Sequence, residues 1–103
     1  MASGKPYLDF ILDQLSPLSD VSFKPMMGEY LIYCRGKLVG GIYDDRFLVK
    51  PTEAARRRMP DAPLELPYEG AKAMLLVQDI DDQAFFCDLI DAMANEPSPN
   101  RKQ

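Results

Sequence analysis

Between Glu29 and Lys50 the chain reads EYLIYC, KLVGGIY and RFLVK, three β-rich runs separated by Arg35-Gly36 and Asp44-Asp45. No other feature narrows the fold as far. Aromatic and β-branched residues favour strands, and a two-residue break between such runs is the spacing of a β-hairpin. Two hairpins in succession make an antiparallel meander. Asp-Asp is a poorer turn than Asn-Gly, yet aspartate tolerates the left-handed region better than most residues. The runs are apolar on both faces. Helices are therefore expected over one side of the sheet, with something else partly covering the other.

The flanking segments supply those helices. In KPYLDFILDQLSPL, Leu8, Ile11, Leu12 and Leu15 repeat at helical spacing, and Ser16-Pro17 ends the pattern. VSFKPM alternates but contains Pro25, which predicts a short edge strand at best, and Gly28 then redirects the chain. PTEAARRRMP predicts a short helix with Thr52 as its cap and Pro60 as its stop. A proline- and glycine-punctuated connection leads to a strand over Ala73–Val77, with Leu64–Leu66 as an edge segment. DIDDQAFFCDLIDAMANE carries the stripe Phe85, Phe86, Leu89, Ile90 and Met93, and acids at its start suit the helix dipole. The expected fold is α+β: a helix, three to four meander strands, a helix, one or two strands and a helix, with the helices on one face. One domain over residues 1–96 accounts for the chain, and residues 97–103, PSPNRKQ, read as a frayed tail.

Several function classes lose their basis. With no histidine, the commonest general base and metal ligand is missing. Gly40-Gly41 lies inside a strand pattern, without the Lys-Ser/Thr of a P-loop and outside any GxGxxG, so it reads as clearance for a close approach or as a bulge. A calcium loop starting at Asp79 would put Ala84 at the turn glycine and Ile90 at the bidentate glutamate, and fails. Asp44-Asp45 is a pair of carboxylates better explained by turn chemistry than by a catalytic dyad. Cys34 and Cys87 form no CxxC and read as two reduced, buried thiols. No stretch has the roughly 18 consecutive apolar residues of a membrane helix, and no signal-peptide pattern opens the chain, so a cytoplasmic protein is expected. No catalytic, cofactor-binding or metal-binding residue is assigned, and an enzyme is the least expected class.

Charge is more informative. The chain has a net charge of −4, a balance that disfavours sequence-independent nucleic-acid binding. Locally it is lopsided. Arg46, Lys50, Arg56, Arg57 and Arg58 stand against the single Glu53, whereas Asp79, Asp81, Asp82, Asp88, Asp91 and Glu96 have no basic residue among them. The bland reading of the arginines is a solvated helix face paired to the protein's own acids. The functional reading is a surface for an acidic partner or for phosphates. Tyr30, Tyr33 and Tyr43 invite a base-stacking reading, but basic residues interleave poorly with them, and core or interface packing fits better.

The stretch FKPMMGEYLIYCRGKLVGGIYDDRFLVKPT resembles the signature of the TfoX N-terminal domain family. The matching residues are Met26, Gly28 and Tyr30 in the opening, Tyr33 in the aromatic strand, Gly36-Lys37 at the turn, and Ile42 to Arg46 with Tyr43, Asp44 and Asp45, then Lys50. LPYEGAKAMLLV is similar to the family's second half, so the resemblance runs over residues 5–95. It implies an α+β unit similar to secretion-chaperone-like domains and brings no catalytic residues. Longer members carry a second, C-terminal domain, resemble regulators of competence genes and act with the cyclic-AMP receptor protein. The expected function is a non-enzymatic regulatory or protein-interaction module, possible homodimer included, docking a protein partner, with transcription machinery the candidate, through Arg46, Lys50 and Arg56–Arg58. Direct nucleic-acid binding by the same arginines and a small-ligand sensor are the alternatives.

Overall fold

Three two-residue turns shape the sheet. Met27-Gly28, Arg35-Gly36 and Asp44-Asp45 hold both residues at positive φ, from 52° at Met27 and Arg35 to 86° at Gly28. Two positive φ values in a row are what a type I′ hairpin turn requires, and its twist matches that of the strands it joins. In the computed structural model, which describes residues 4–96, these turns link β1 (Val21–Met26), β2 (Glu29–Cys34), β3 (Lys37–Tyr43) and β4 (Arg46–Val49). Helix α1 (Lys5–Gln14) precedes them and α2 (Glu53–Arg58) follows. Two short strands, β5 (Leu64–Glu65) and β6 (Met74–Leu76), come before α3 (Gln83–Ala94). All pairings are antiparallel, in the order β1-β2-β3-β4-β6-β5. The class is α+β, as expected. The tail expected at residues 97–103 lies outside the described residues.

Two details depart from expectation. β1 is a six-residue strand paired along its whole length with β2, Pro25 opposite Tyr30. It is an edge strand, the place where a proline without an N–H disturbs the ladder least. Met27-Gly28 is accordingly a third hairpin turn and not a mere redirection. The returning strand is also shorter than Ala73–Val77 and docks on β4, whereas β5 takes the outer edge as expected for the Leu64–Leu66 segment.

Register sorts the side chains into two layers. Ile32, Gly40 and Val49 face one another across three strands, and Val49 faces Leu75. This layer belongs to the core, where Leu8, Ile11 and Leu15 from the α1 region and Ala55 from α2 meet Phe86, Leu89, Ile90 and Met93 from α3. Phe47 and Phe86 touch edge to face, with centroids 4.9 Å apart and planes at 88°, a geometry worth about 0.5–1.5 kcal/mol beyond area burial. Helices α2 and α3 start where the sequence provides caps: Thr52 accepts from the Ala55 N–H and Asp82 from the Phe85 N–H. Leu31, Gly41, Leu48 and Leu76 line up on the opposite layer.

The two central glycines are needed for different contacts. Pairing with β2 jumps from Gly40 to Leu38 opposite Ile32 and Tyr33, so Val39 is the extra residue of a bulge. Beside it, a Cβ on Gly40 would fall 2.3 Å from the Leu48 carbonyl oxygen. A Cβ on Gly41 would meet the Tyr43 ring at 2.8 Å, because that ring lies over Gly41. Gly36 differs, with open space around it and a φ of +80°.

Gly40→Ala should therefore lower stability by about 2–3 kcal/mol through overpacking, and Gly36→Ala by about 1 kcal/mol through backbone strain alone. Urea unfolding of both variants checks this ordering. A Gly40→Ala protein more stable than the Gly36→Ala protein would show that the close approach is misplaced.

Candidate functional site

The five basic residues expected to form one surface go in different directions. Arg46, at the start of β4, donates from Nε to the Tyr43 carbonyl at 3.1 Å and pairs through a terminal nitrogen with Glu65 at 2.8 Å. On α2 successive residues project about 100° apart, and the three arginines separate accordingly. Arg56 donates from Nε to the Pro51 carbonyl at 3.0 Å. Arg57 pairs along its own helix with Glu53 at 2.6 Å. Arg58 crosses to α3 and pairs with Asp88 at 2.7 Å. Lys50 follows β4 and makes no ion pair or side-chain hydrogen bond among the described residues. Arg56 thus reaches back to the Pro51 carbonyl, one residue after Lys50, whereas Arg46, Arg57 and Arg58 are tied to acids.

The acidic segment absorbs some of this charge. Besides the Arg58–Asp88 pair, Asp91 accepts from Arg35 at 2.8 Å. Such solvent-exposed pairs contribute about 0–1 kcal/mol each. Their consequence is electrostatic: a cation that sits beside a carboxylate presents little net charge to a partner. Lys50, Arg56 and Lys72, which make no ion pair among the described residues, are the exceptions near the β4–α2 link.

Two grooves open beside that link. One, of about 540 Å³, lies between Leu38 and Val39 of β3, the Lys50–Glu53 segment and the Met93 end of α3. Lys37 borders it and donates from Nζ to the Glu96 backbone carbonyl, while a Glu96 carboxylate oxygen accepts from the Ala54 N–H at 2.9 Å. The other groove, of about 460 Å³, lies on the sheet's opposite layer between Tyr43, Met74 and the Pro67–Ala73 segment, with Lys50 and Lys72 at its border. Tyr43 is 5% exposed and Tyr68 58%, and their rings stand 6.3 Å apart, tilted by 56°. Tyr68, Lys72 and Met74 were not singled out from the sequence. The available signal was an aromatic residue inside LPYEGAK, a segment whose proline and glycine mark it as surface.

The remaining motif residues have structural partners. Tyr30 packs edge to face with Phe23 at 5.8 Å, and Tyr33 is half-buried in β2 opposite Leu38. Met26 ends β1 against Glu29. The Asp44 N–H donates to Glu29, and the Asp45 carboxylate accepts from the Gly4 N–H at 3.1 Å, so this pair ties the turn to its surroundings. Among the described residues no three His, Cys, Asp or Glu side chains lie close enough to hold a metal ion, and no helix is long and apolar enough to cross a membrane.

The family model of the TfoX N-terminal domain matches residues 13–95. The chain is also 37% identical over 84 residues to an uncharacterised 12.7 kDa protein from the trpE 5′ region of Spirochaeta aurantia, covering 82% of this chain and 73% of that one. No solved structure matches.

Burial sets the protein's alkaline behaviour. It is the main cause that raises the pKa of Cys34, Cys87, Tyr7 and Tyr43; Asp45 adds to the effect at Tyr7 and Tyr68 at Tyr43. In each case the folded state keeps its proton to a higher pH than the unfolded chain does. The stabilisation is fully present below about pH 8.5 and is lost as pH rises through the raised values. Urea midpoints should hold steady between pH 6 and 8 and fall by pH 10.5. Tyr43→Phe, which removes one of these groups, should reduce that fall. A midpoint that rises with alkaline pH would contradict the burial of these groups.

Proposed function

This chain belongs to the TfoX N-terminal domain family, and on that premise we propose that it is a non-enzymatic regulatory module of the competence-regulator kind. It acts by holding a protein partner, in the cytoplasm, and not by turning over a substrate. The observation that carries this reading is that Lys50 and Arg56, on either side of the β4–α2 link, make no ion pair among the described residues in a chain of net charge −4. A local cationic surface on an acidic protein selects a partner by complementarity and repels most other acidic surfaces. Arg46, Arg57 and Arg58, each paired with an acid, add little to that surface. The absence of histidine and the structural ties of Asp44 and Asp45 agree with a role outside catalysis.

Affinity capture from the source cell tests this. The wild-type chain should retain a defined partner, and Lys50→Glu/Arg56→Glu should release it with an unchanged circular dichroism spectrum. Retention of the same partner by the double variant would displace the site. Capture of no protein, together with a steep salt-dependent affinity for DNA, would replace the reading with direct nucleic-acid binding.

A further inference from the structure

We infer that the groove between Tyr43 and Tyr68 is a docking site for an acidic, extended segment of a partner protein. The inference rests on the protein-partner reading and specifies where and by what chemistry that partner is held.

The groove has a floor, a wall and a charged border. Tyr43 is the floor, buried over Gly41. Tyr68 is the wall, with more than half its surface exposed. A turn holds it there: the Ala71 N–H donates to the Tyr68 carbonyl at 3.1 Å, and Gly70 takes a φ of +88°, the positive value a type II turn demands at its third residue. Tyr68 is therefore an aromatic side chain presented to solvent on a constrained backbone. Such residues bind well because little conformational freedom is left to lose, and tyrosine is enriched at interface hot spots. Pro67 and Met74 complete the apolar lining.

The border decides the ligand's charge. Lys50 and Lys72 both line the groove and neither has an acid partner among the described residues. Arg56 does not line the groove but donates to the carbonyl of Pro51, which does. No acid lines the groove among the described residues. Glu65 is held by Arg46, and Glu69, in the same turn as Tyr68, does not line the groove. At about 460 Å³, the space admits a few side chains of an extended segment and not a folded domain. Carboxylates on that segment would meet the lysines while an aromatic or aliphatic side chain enters between the tyrosines. A nucleic-acid strand fits the same stacking surface less well. Its phosphates continue beyond the groove, and the chain's net charge of −4 works against them.

The test is an NMR titration of the ¹⁵N-labelled full chain with an acetylated octapeptide alternating glutamate with leucine and phenylalanine. Saturable shifts should concentrate in residues 38–51 and 67–74. The same peptide with lysine for glutamate should leave them in place. Tyr68→Ala, and separately Lys50→Glu/Lys72→Glu, should weaken binding by about tenfold or more, as loss of a hot-spot residue does; both sites lie at the surface, and preserved spectral dispersion verifies folding. Absence of saturable shifts, shifts centred elsewhere, or equal binding of the lysine peptide would overturn the proposal. Tighter binding of oligothymidine at these residues would also overturn it, in favour of a strand-binding platform. Failure here with a partner still captured in an Arg56-dependent way would remove the groove and leave the partner reading intact. Failure of capture with the peptide seated in the groove would do the reverse.

Discussion

The register of the meander is the constraint on which the rest of the molecule depends. Side chains alternate along a strand, so a slip of one residue would exchange the two layers of the sheet. The positive-φ turns at Met27-Gly28, Arg35-Gly36 and Asp44-Asp45 prevent that slip by fixing where each strand begins. With register fixed, Ile32, Ile42, Phe47 and Val49 point into the helices and Leu31, Leu48, Tyr43 and Met74 point away. The core and the candidate docking face are thus two consequences of one pairing scheme.

Charge is distributed on top of that frame. The arginine run could not act as a block, because α2 spreads its three members around the helix and two of them find carboxylates. The α3 acids reduce the basic surface from within, leaving Lys50, Arg56 and Lys72 as cations beside the link from β4 to α2 that make no ion pair among the described residues. A functional surface of this kind is defined as much by what the protein has neutralised as by what it displays.

Much of the fold was legible in the sequence because its signals are local. Arg35-Gly36 and Asp44-Asp45 each sit between strand-like runs, Thr52 caps α2, and the Phe86–Met93 stripe announces α3. The first hairpin was harder to see. Pro25 weakens the strand signal before it, and Met27 is not a residue type that marks a left-handed turn. β5 and β6 are two and three residues long, too short for periodicity to place them. The site was less legible still. Which arginine finds an acid depends on neighbours such as Asp88, thirty residues from Arg58. The pairing of Tyr43 with Tyr68 likewise exists only once β6 has docked on β4.

The most direct measurement replaces Tyr68 with a photo-crosslinking benzophenone amino acid in the source cell, with Phe10 on the helical side as the comparison position; both are surface-exposed. The account predicts an irradiation-dependent adduct with one protein from position 68 and none from position 10. An adduct from position 10 with none from position 68 would contradict it.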